Sequence, residues 1–140
     1  MSLKKQEKHK KMSFQRFLNS IKFSIDGLVN AYQNEQSLWL HAICTIGIII
    51  LGFLLQISFI QWAIIVIALV IVLAVELLNT AIEATVDLVT KEIHPLAKVA
   101  KDCGSAAAFV SSIMVFIICC FIFIPKILSL IHISEPTRPY

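Results

Sequence analysis

Charged side chains are scarce in this chain, and one long stretch has none. Only 15% of the 140 residues are Asp, Glu, Lys or Arg, whereas soluble domains contain about 25%. None of the four types occurs between Glu35 and Glu76. This uncharged run of about 40 residues is roughly twice the length that one helical membrane span needs. The composition therefore excludes an ordinary soluble domain and predicts an integral membrane protein.

Cysteine and glycine are also sparse, with four residues of each. The glycines are scattered and form no Gly-x-x-x-x-Gly-Lys-(Ser/Thr) pattern, which excludes a P-loop. The cysteine spacing matches neither a disulfide framework nor a zinc site; the cysteines are Cys44, Cys103, Cys119 and Cys120. We expect them to be small apolar residues without a chemical role.

Three apolar segments predict three membrane spans. The uncharged run is interrupted by the polar residues of segment 56–61, which separates a span at about 38–55 from one at about 62–88. A third span at about 104–124 is expected to stop at Pro125 and Lys126. No span or helix pattern follows from Ser129 onwards, and residues 127–140 are expected to be a tail outside the domain. The sequence predicts one all-α membrane domain at about 14–126.

The segment before the first span has a different pattern. Apolar residues recur there at three- and four-residue spacing, from Phe14 to Tyr32, which predicts an amphipathic surface helix at about 14–34. The lysine-rich segment 1–13 is expected to be a disordered tail near anionic lipid, and we expect no nucleic-acid partner. The distribution of Lys and Arg places the amino terminus in the cytoplasm. Three crossings then put the segment from about Thr80 to Gly104 on the cytoplasmic side as well.

Polar side chains line one helical face where the second span ends. Their directions fall within an arc of about 100°; they are Glu76, Asn79, Thr80, Glu83 and Asp87. A carboxylate near the bilayer core costs about 2.5 to 3.5 kcal/mol on insertion scales, so Glu76 is a functional candidate. The alternative for Asp87, Lys91 and Glu92 is a solvated helix end, and the Glu83 carboxylate could reach the interface. His94, which precedes Pro95, is on sequence alone more typical of a loop residue than of a ligand.

A second polar cluster precedes the third span. Lys98, Lys101, Asp102 and Ser105 recur at three- and four-residue spacing and would share one helical face. Cations and carboxylates thus meet at one membrane edge. This suits a polyphosphate with Mg²⁺, because Mg²⁺ takes oxygen ligands from carboxylates and substrate phosphates, and lysine acts as a point charge on phosphate.

Two non-enzymatic hypotheses remain open on the residues alone. An oligomeric proton or cation pathway lined by Glu76, Asn79 and Glu83 would explain the first polar face. It does not explain the lysines of the second cluster. A purely structural subunit would tolerate Glu76→Gln.

The two clusters contain a specific combination of motifs. The runs are Glu76-Leu77-Leu78-Asn79-Thr80-Ala81-Ile82-Glu83, Val86-Asp87 and Ala97-Lys98-Val99-Ala100-Lys101-Asp102-Cys103-Gly104-Ser105-Ala106-Ala107. They resemble the signature of the small prokaryotic diacylglycerol kinase and undecaprenol kinase family, and the resemblance extends from about Arg16 to Ile124. It implies an ATP-dependent kinase of a membrane lipid alcohol, built as a homotrimeric bundle with active sites between subunits.

The resemblance also implies a role for each matched residue. Glu76 matches the catalytic base that takes the proton of the lipid hydroxyl, and Asn79 matches an active-site amide. Glu35 and Glu83 match metal- and nucleotide-binding glutamates, with Mg²⁺ as the cofactor. Ser105 matches a lipid contact, like Glu76. The remaining matches to nucleotide contacts are Arg16, Phe23, Asp87, Glu92, His94, Lys101 and Asp102.

The expected acceptor follows from finer features of the resemblance. His41, Val86-Asp87-Leu88 and His94-Pro95-Leu96-Ala97-Lys98 resemble the Gram-positive branch of the family, whose members are more similar to undecaprenol kinases. We therefore expect undecaprenol to be converted to undecaprenyl phosphate, with diacylglycerol as the alternative acceptor. The expected location is the cell membrane, with the active site on the cytoplasmic side.

Overall fold

Four helices make up the described part of the chain, which comprises residues 14–92 and 94–133 of a computed structural model. They are α1 (Phe14–Asn34), α2 (Gln36–Leu54), α3 (Phe59–Val89) and α4 (Pro95–Ile133). By length and composition, α2, α3 and α4 can each cross a membrane. The predicted all-α class is therefore confirmed, and three helices have the length and composition of the three predicted spans. The predicted basic tail at 1–13 lies outside the described residues.

The corner between α1 and α2 is a single non-helical residue. Glu35 has an extended backbone (φ −112°, ψ 115°), and its amide N–H donates to the Ala31 carbonyl at 2.9 Å. The indole Nε1–H of Trp39 donates to the Tyr32 carbonyl at 2.8 Å, and the two rings meet edge to face with centroids 5.8 Å apart. These contacts fix the direction of α2 relative to α1.

A tight turn joins α2 to α3. Gln56 adopts a left-handed conformation (φ 48°) just after α2 ends. Ser58 then caps α3: its Oγ accepts from the Gln61 N–H at 3.3 Å, and its own N–H donates to Gln61 Oε1 at 2.8 Å. This reciprocal capping box satisfies two amide donors that the first helical turn leaves without partners. The two helices can therefore reverse direction within four residues.

Close helix packing gives the bundle a small core beside this turn. Ile57, Ile65, Ile122 and Phe123 are buried and pack together. At Gly52 of α2, an added Cβ would lie 2.7 Å and 2.8 Å from two carbon atoms of the Trp62 ring. Only glycine therefore permits this approach of α2 to α3. The most extensive pairing of helices is between α3 and α4.

The structure corrects the expected end of the third span. α4 continues through Pro125 and Lys126 and ends at Ile133, whereas the sequence predicted no helix from Ser129 onwards. Proline is tolerated in membrane helices because neighbouring groups take over the freed backbone positions, and the residues after Lys126 are again mostly apolar. Lys126 Nζ also donates to the Gln56 carbonyl at 3.5 Å, which links α4 to the α2–α3 turn.

Candidate active site

A buried carboxylate lies in the second half of α3. Glu76 is 5% exposed, and it is the one charged residue buried among those the structure describes. Its position is about 26 Å along the helix axis from Phe59, at a rise of 1.5 Å per residue. A charge at such a position requires hydrogen-bond partners, since burying an ionised carboxylate alone is very costly.

Two side chains from α2 supply those partners. His41 Nε2 lies 2.8 Å from Glu76 Oε1, and Ser37 Oγ donates to Glu76 Oε2 at 3.2 Å. Ser37 and His41 are four residues apart, so they lie on the same face of α2. The sequence interpretation did not assign either residue to Glu76. The sequence nevertheless contains a signal for this contact, because two polar residues at helical spacing inside an apolar span require a polar neighbour.

Asn79 follows Glu76 by one turn and faces α4. Its Nδ2 donates to Glu83 Oε1 at 3.1 Å. Its Oδ1 is buried and, alone among buried side-chain polar atoms of the described residues, has no hydrogen-bond partner. A Cβ added at Gly104 of α4 would lie 2.4 Å from this oxygen. Gly104 therefore makes room for this oxygen, which is buried against the backbone of α4.

Ion pairs extend the polar face away from Glu76. Lys101 Nζ of α4 contacts Asp87 Oδ1 of α3 at 2.5 Å, and Lys98 pairs with Asp102 within α4. These groups are largely exposed, apart from the half-exposed Lys101. Exposed pairs contribute roughly 0 to 1 kcal/mol, so their effect on stability is small. Their arrangement brings together one carboxylate from the first predicted cluster and one lysine from the second.

The remaining polar positions serve the local backbone or stay exposed. Thr80 Oγ1 donates to the Glu76 carbonyl at 3.2 Å within α3. His94 Nδ1 accepts from the Leu96 N–H at 3.2 Å at the start of α4, and the Glu92 N–H donates to Thr90 Oγ1 at 3.1 Å. Ser105 is exposed on α4, one residue after Gly104.

α1 and the α1–α2 corner carry the other predicted site residues. Arg16 and Phe23 are exposed and line a shallow pocket with Asn19, Ser20 and Ser24, all from α1. Glu35 is half-buried at the α1–α2 corner. Among residues 14–92 and 94–133, no hydrogen bond or ion pair joins these three side chains to Glu76, Glu83 or Lys101. One chain thus assembles the α3–α4 face without polar contacts from Arg16, Phe23 or Glu35 to those three side chains.

A family model described as prokaryotic diacylglycerol kinase matches residues 22–123, a range that contains Glu76, Asn79 and Gly104. The chain belongs to the prokaryotic diacylglycerol kinase family. The resemblance stated from the sequence motifs is thereby confirmed.

Several curated members of the prokaryotic diacylglycerol kinase family are similar over most of their length. The undecaprenol kinase of Bacillus subtilis (strain 168) is 40% identical over 112 residues, which cover 80% of this chain and 91% of that protein. The diacylglycerol kinase of Pseudomonas aeruginosa is 43% identical over 96 residues, covering 69% and 78%. The diacylglycerol kinase of Escherichia coli (strain K12) is 31% identical over 109 residues, covering 78% and 89%.

The α3 face offers a carboxylate of the kind that a magnesium ion binds. Mg²⁺ prefers oxygen ligands and keeps substrate phosphates among them. Glu83 offers a half-buried carboxylate, and the adjacent Asn79 Oδ1 is an acceptor without a partner. In the described part of the chain, no three His, Cys, Asp or Glu side chains converge on one point. Glu83 thus offers one carboxylate to an ion that takes other ligands from a nucleotide, whereas Asn79 Oδ1 is buried against α4.

Proposed function

We propose that this chain transfers the γ-phosphoryl group of ATP to a membrane lipid alcohol, with Mg²⁺, and that the alcohol is undecaprenol. The observation that carries the proposal is the buried Glu76 carboxylate, held in a span-length helix beside Asn79 and Glu83. The similarity to the undecaprenol kinase of Bacillus subtilis, which covers 91% of that protein, supports the acceptor.

Diacylglycerol is the second candidate acceptor. The diacylglycerol kinase of Pseudomonas aeruginosa has 43% identity to this chain over a shorter aligned region. The two acceptors share a hydroxyl group joined to apolar chains, so both satisfy the same requirement for a base near the membrane edge.

Glu76 is proposed to act as the general base. Its carboxylate takes the proton of the lipid hydroxyl while that oxygen bonds to the γ-phosphorus, and the bond from the γ-phosphorus to the bridging oxygen of ADP breaks. A carboxylate offers about four acceptor positions. His41 and Ser37 occupy one on each oxygen, so positions remain for the incoming hydroxyl. Phosphoryl transfer needs little else beyond alignment and charge neutralisation.

The nucleotide is proposed to lie over the ion-paired end of α3 and α4. Glu83 and Glu35 would hold the magnesium ion, which neutralises phosphate charge when it is bound. Asn79 would position the reacting groups by holding the Glu83 carboxylate through its Nδ2, and Lys101 would contact phosphate. The other proposed nucleotide contacts are Arg16, Phe23, Asp87, Glu92, His94 and Asp102, and Ser105 would contact the lipid.

The membrane placement follows from helix lengths. α3 is 31 residues long, equivalent to about 46 Å, whereas the hydrocarbon core is about 30 Å thick. One end of α3 must therefore project into the interface, and the polar Asn79-to-Asp87 end is the one that water favours. The distribution of lysines in the sequence supports a cytoplasmic location for this end, where ATP is available.

α1 is proposed to lie on the membrane surface as an amphipathic helix. Phe14, Phe17 and Ile21 are 75%, 60% and 43% exposed and recur at three- and four-residue spacing. Exposed apolar side chains on one face are the feature by which an interfacial helix binds lipid. This helix would cover the entry to the α3 polar face.

A homotrimer with composite sites is the proposed assembly. In one chain, Arg16 and Phe23 line a pocket formed by α1 alone. Among the described residues, no hydrogen bond or ion pair joins them to Glu76, Glu83 or Lys101. An adjacent subunit would bring a second set of α1 residues to that face. Ala106 and Ala107, exposed small residues on α4, permit close approach of another helix.

The test is phosphate transfer from labelled ATP by purified protein in detergent with Mg²⁺, using undecaprenol or diacylglycerol. Glu76→Gln removes the base and retains the side-chain shape, so we expect activity to fall at least about 100-fold. Asp26→Asn is the matched control, because it makes the same carboxylate-to-amide change on the exposed side of α1. Full activity of Glu76→Gln, or transfer to neither lipid by folded protein, would refute the proposal.

A further inference from the structure

We propose that His41 is a positioning residue that holds the Glu76 carboxylate plane in the orientation needed for proton transfer. The inference rests on the proposed role of Glu76 as the base. It adds a residue of α2 that acts through Glu76 and does not itself contact the substrate.

The reason is the torsional freedom of a glutamate side chain. The last torsion of Glu is broad and roughly two-fold, so packing on α3 alone does not fix the carboxylate plane. Hydrogen bonds to both oxygens do fix it. His41 Nε2 is 2.8 Å from Oε1 and Ser37 Oγ is 3.2 Å from Oε2, and the histidine contact is the shorter of the two.

The surroundings of His41 make it a rigid partner. Its side chain is 23% exposed, and that of Glu76 is 7% exposed. The ring borders an apolar groove between α2, α3 and α4, which Leu69 and Val72 also line. A hydrogen bond to a charged group in such surroundings is stronger than one in water.

Both side chains that hydrogen-bond to the Glu76 carboxylate come from α2. Ser37 and His41 lie one turn apart on the face that meets α3, so both donors move together if α2 moves. The α1–α2 corner at Glu35 lies two residues before Ser37. The orientation of the base is therefore coupled to the corner that carries one of the two proposed metal-binding glutamates.

The experiment compares four variants in the lipid phosphorylation assay, with kcat and the KM of each substrate measured separately. His41→Leu removes the hydrogen-bonding nitrogen. His41→Gln keeps an N–H donor at about the position of Nε2, whereas the amide of His41→Asn is too short to reach Glu76. Thr45→Val is the matched control, because Thr45 lies one turn further along α2 in the same groove and makes no hydrogen bond to Glu76.

We expect kcat of His41→Leu and His41→Asn to fall about 10- to 100-fold, the loss that corresponds to one hydrogen bond to a charged group. Both KM values should change less than about threefold, because an orientation effect is felt mainly in the transition state. His41→Gln should recover most of kcat, and Thr45→Val should match the parent protein. If the leucine variant does not fold, the comparison of kcat between His41→Asn and His41→Gln tests the inference instead.

Two results would overturn the inference. One is parental kcat in His41→Leu or His41→Asn. The other is a folded His41→Gln whose kcat is as low as that of His41→Asn. Glu76→Gln, measured beside them, distinguishes failure of the His41 inference from failure of the proposed base. If Glu76→Gln is inactive while the His41 variants are fully active, Glu76 remains the proposed base and only the positioning role of His41 is wrong. If Glu76→Gln is active, the proposed base itself is wrong.

Discussion

The contact between Asn79 and Gly104 leads to a sharp prediction for Gly104→Ala. A Cβ at this position would lie 2.4 Å from Asn79 Oδ1, whereas ordinary van der Waals contact begins at 3.4 Å. The Asn79 amide must therefore move by about 1 Å, because the backbone of α4 is fixed by its helical hydrogen bonds. Its hydrogen bond to Glu83, 3.1 Å in the parent structure, would be strained or lost.

The expected effect on activity is large, although the substitution adds one methyl group. A displacement of about 1 Å in a positioning group can cost about 100-fold in rate. Stability should change less, because alanine is favoured over glycine inside a helix by about 1 kcal/mol. This gain offsets part of the loss of the bond to Glu83, worth about 1.5 to 3 kcal/mol, and leaves a net loss of about 0.5 to 2 kcal/mol. We therefore expect kcat of Gly104→Ala to fall about 100-fold while the unfolding midpoint falls modestly.

The assay is transfer of labelled phosphate to the lipid, with thermal unfolding in detergent measured by circular dichroism. Gly47→Ala is the control, since a Cβ added at Gly47 meets nothing within 4 Å and gains the same helix propensity. If Gly104→Ala keeps parental kcat within about threefold, the contact does not position Asn79, and the reasoning from the close approach is wrong.

Two further predictions concern the ends of the helices. Lys101→Met should raise the KM for ATP about tenfold, because Lys101 is a proposed phosphate contact. The free energy of unfolding should change by less than about 1 kcal/mol, because the ion pair with Asp87 is partly exposed. Titration with ATP measures the KM and denaturant unfolding measures the stability; an unchanged KM would remove Lys101 from the proposed site. Gly52→Ala should destabilise the bundle by about 1 to 3 kcal/mol, since its Cβ would overlap the Trp62 ring; stability equal to that of Gly47→Ala would contradict this.

Much of the fold follows from the sequence because bilayer insertion depends on local composition. The uncharged run after Glu35 predicts membrane-spanning helices, whatever their partners are. The end of α4 was not predictable in this way. Pro125 is a helix breaker in water, but α4 continues past it to Ile133, since the lipid environment and the neighbouring helices change the cost of an interior proline.

The site was predicted in part for a related reason. Glu76, Asn79 and Glu83 share one face of one helix, so the helical period alone brings them together, and the Asn79–Glu83 hydrogen bond follows from it. Contacts between helices have no such periodic signal. The pairing of Asp87 with Lys101 requires α3 and α4 to be antiparallel neighbours in one particular register.

The sequence by itself determined the class, the family and the polar face of α3, because each depends on residues close together along the chain. Only the tertiary structure decided which groups meet Glu76 and Asn79. His41 is 35 positions from Glu76, and Gly104 is seen to matter only when α4 lies against α3. Such pairings depend on helix rotation and spacing, which side-chain packing across the bundle sets.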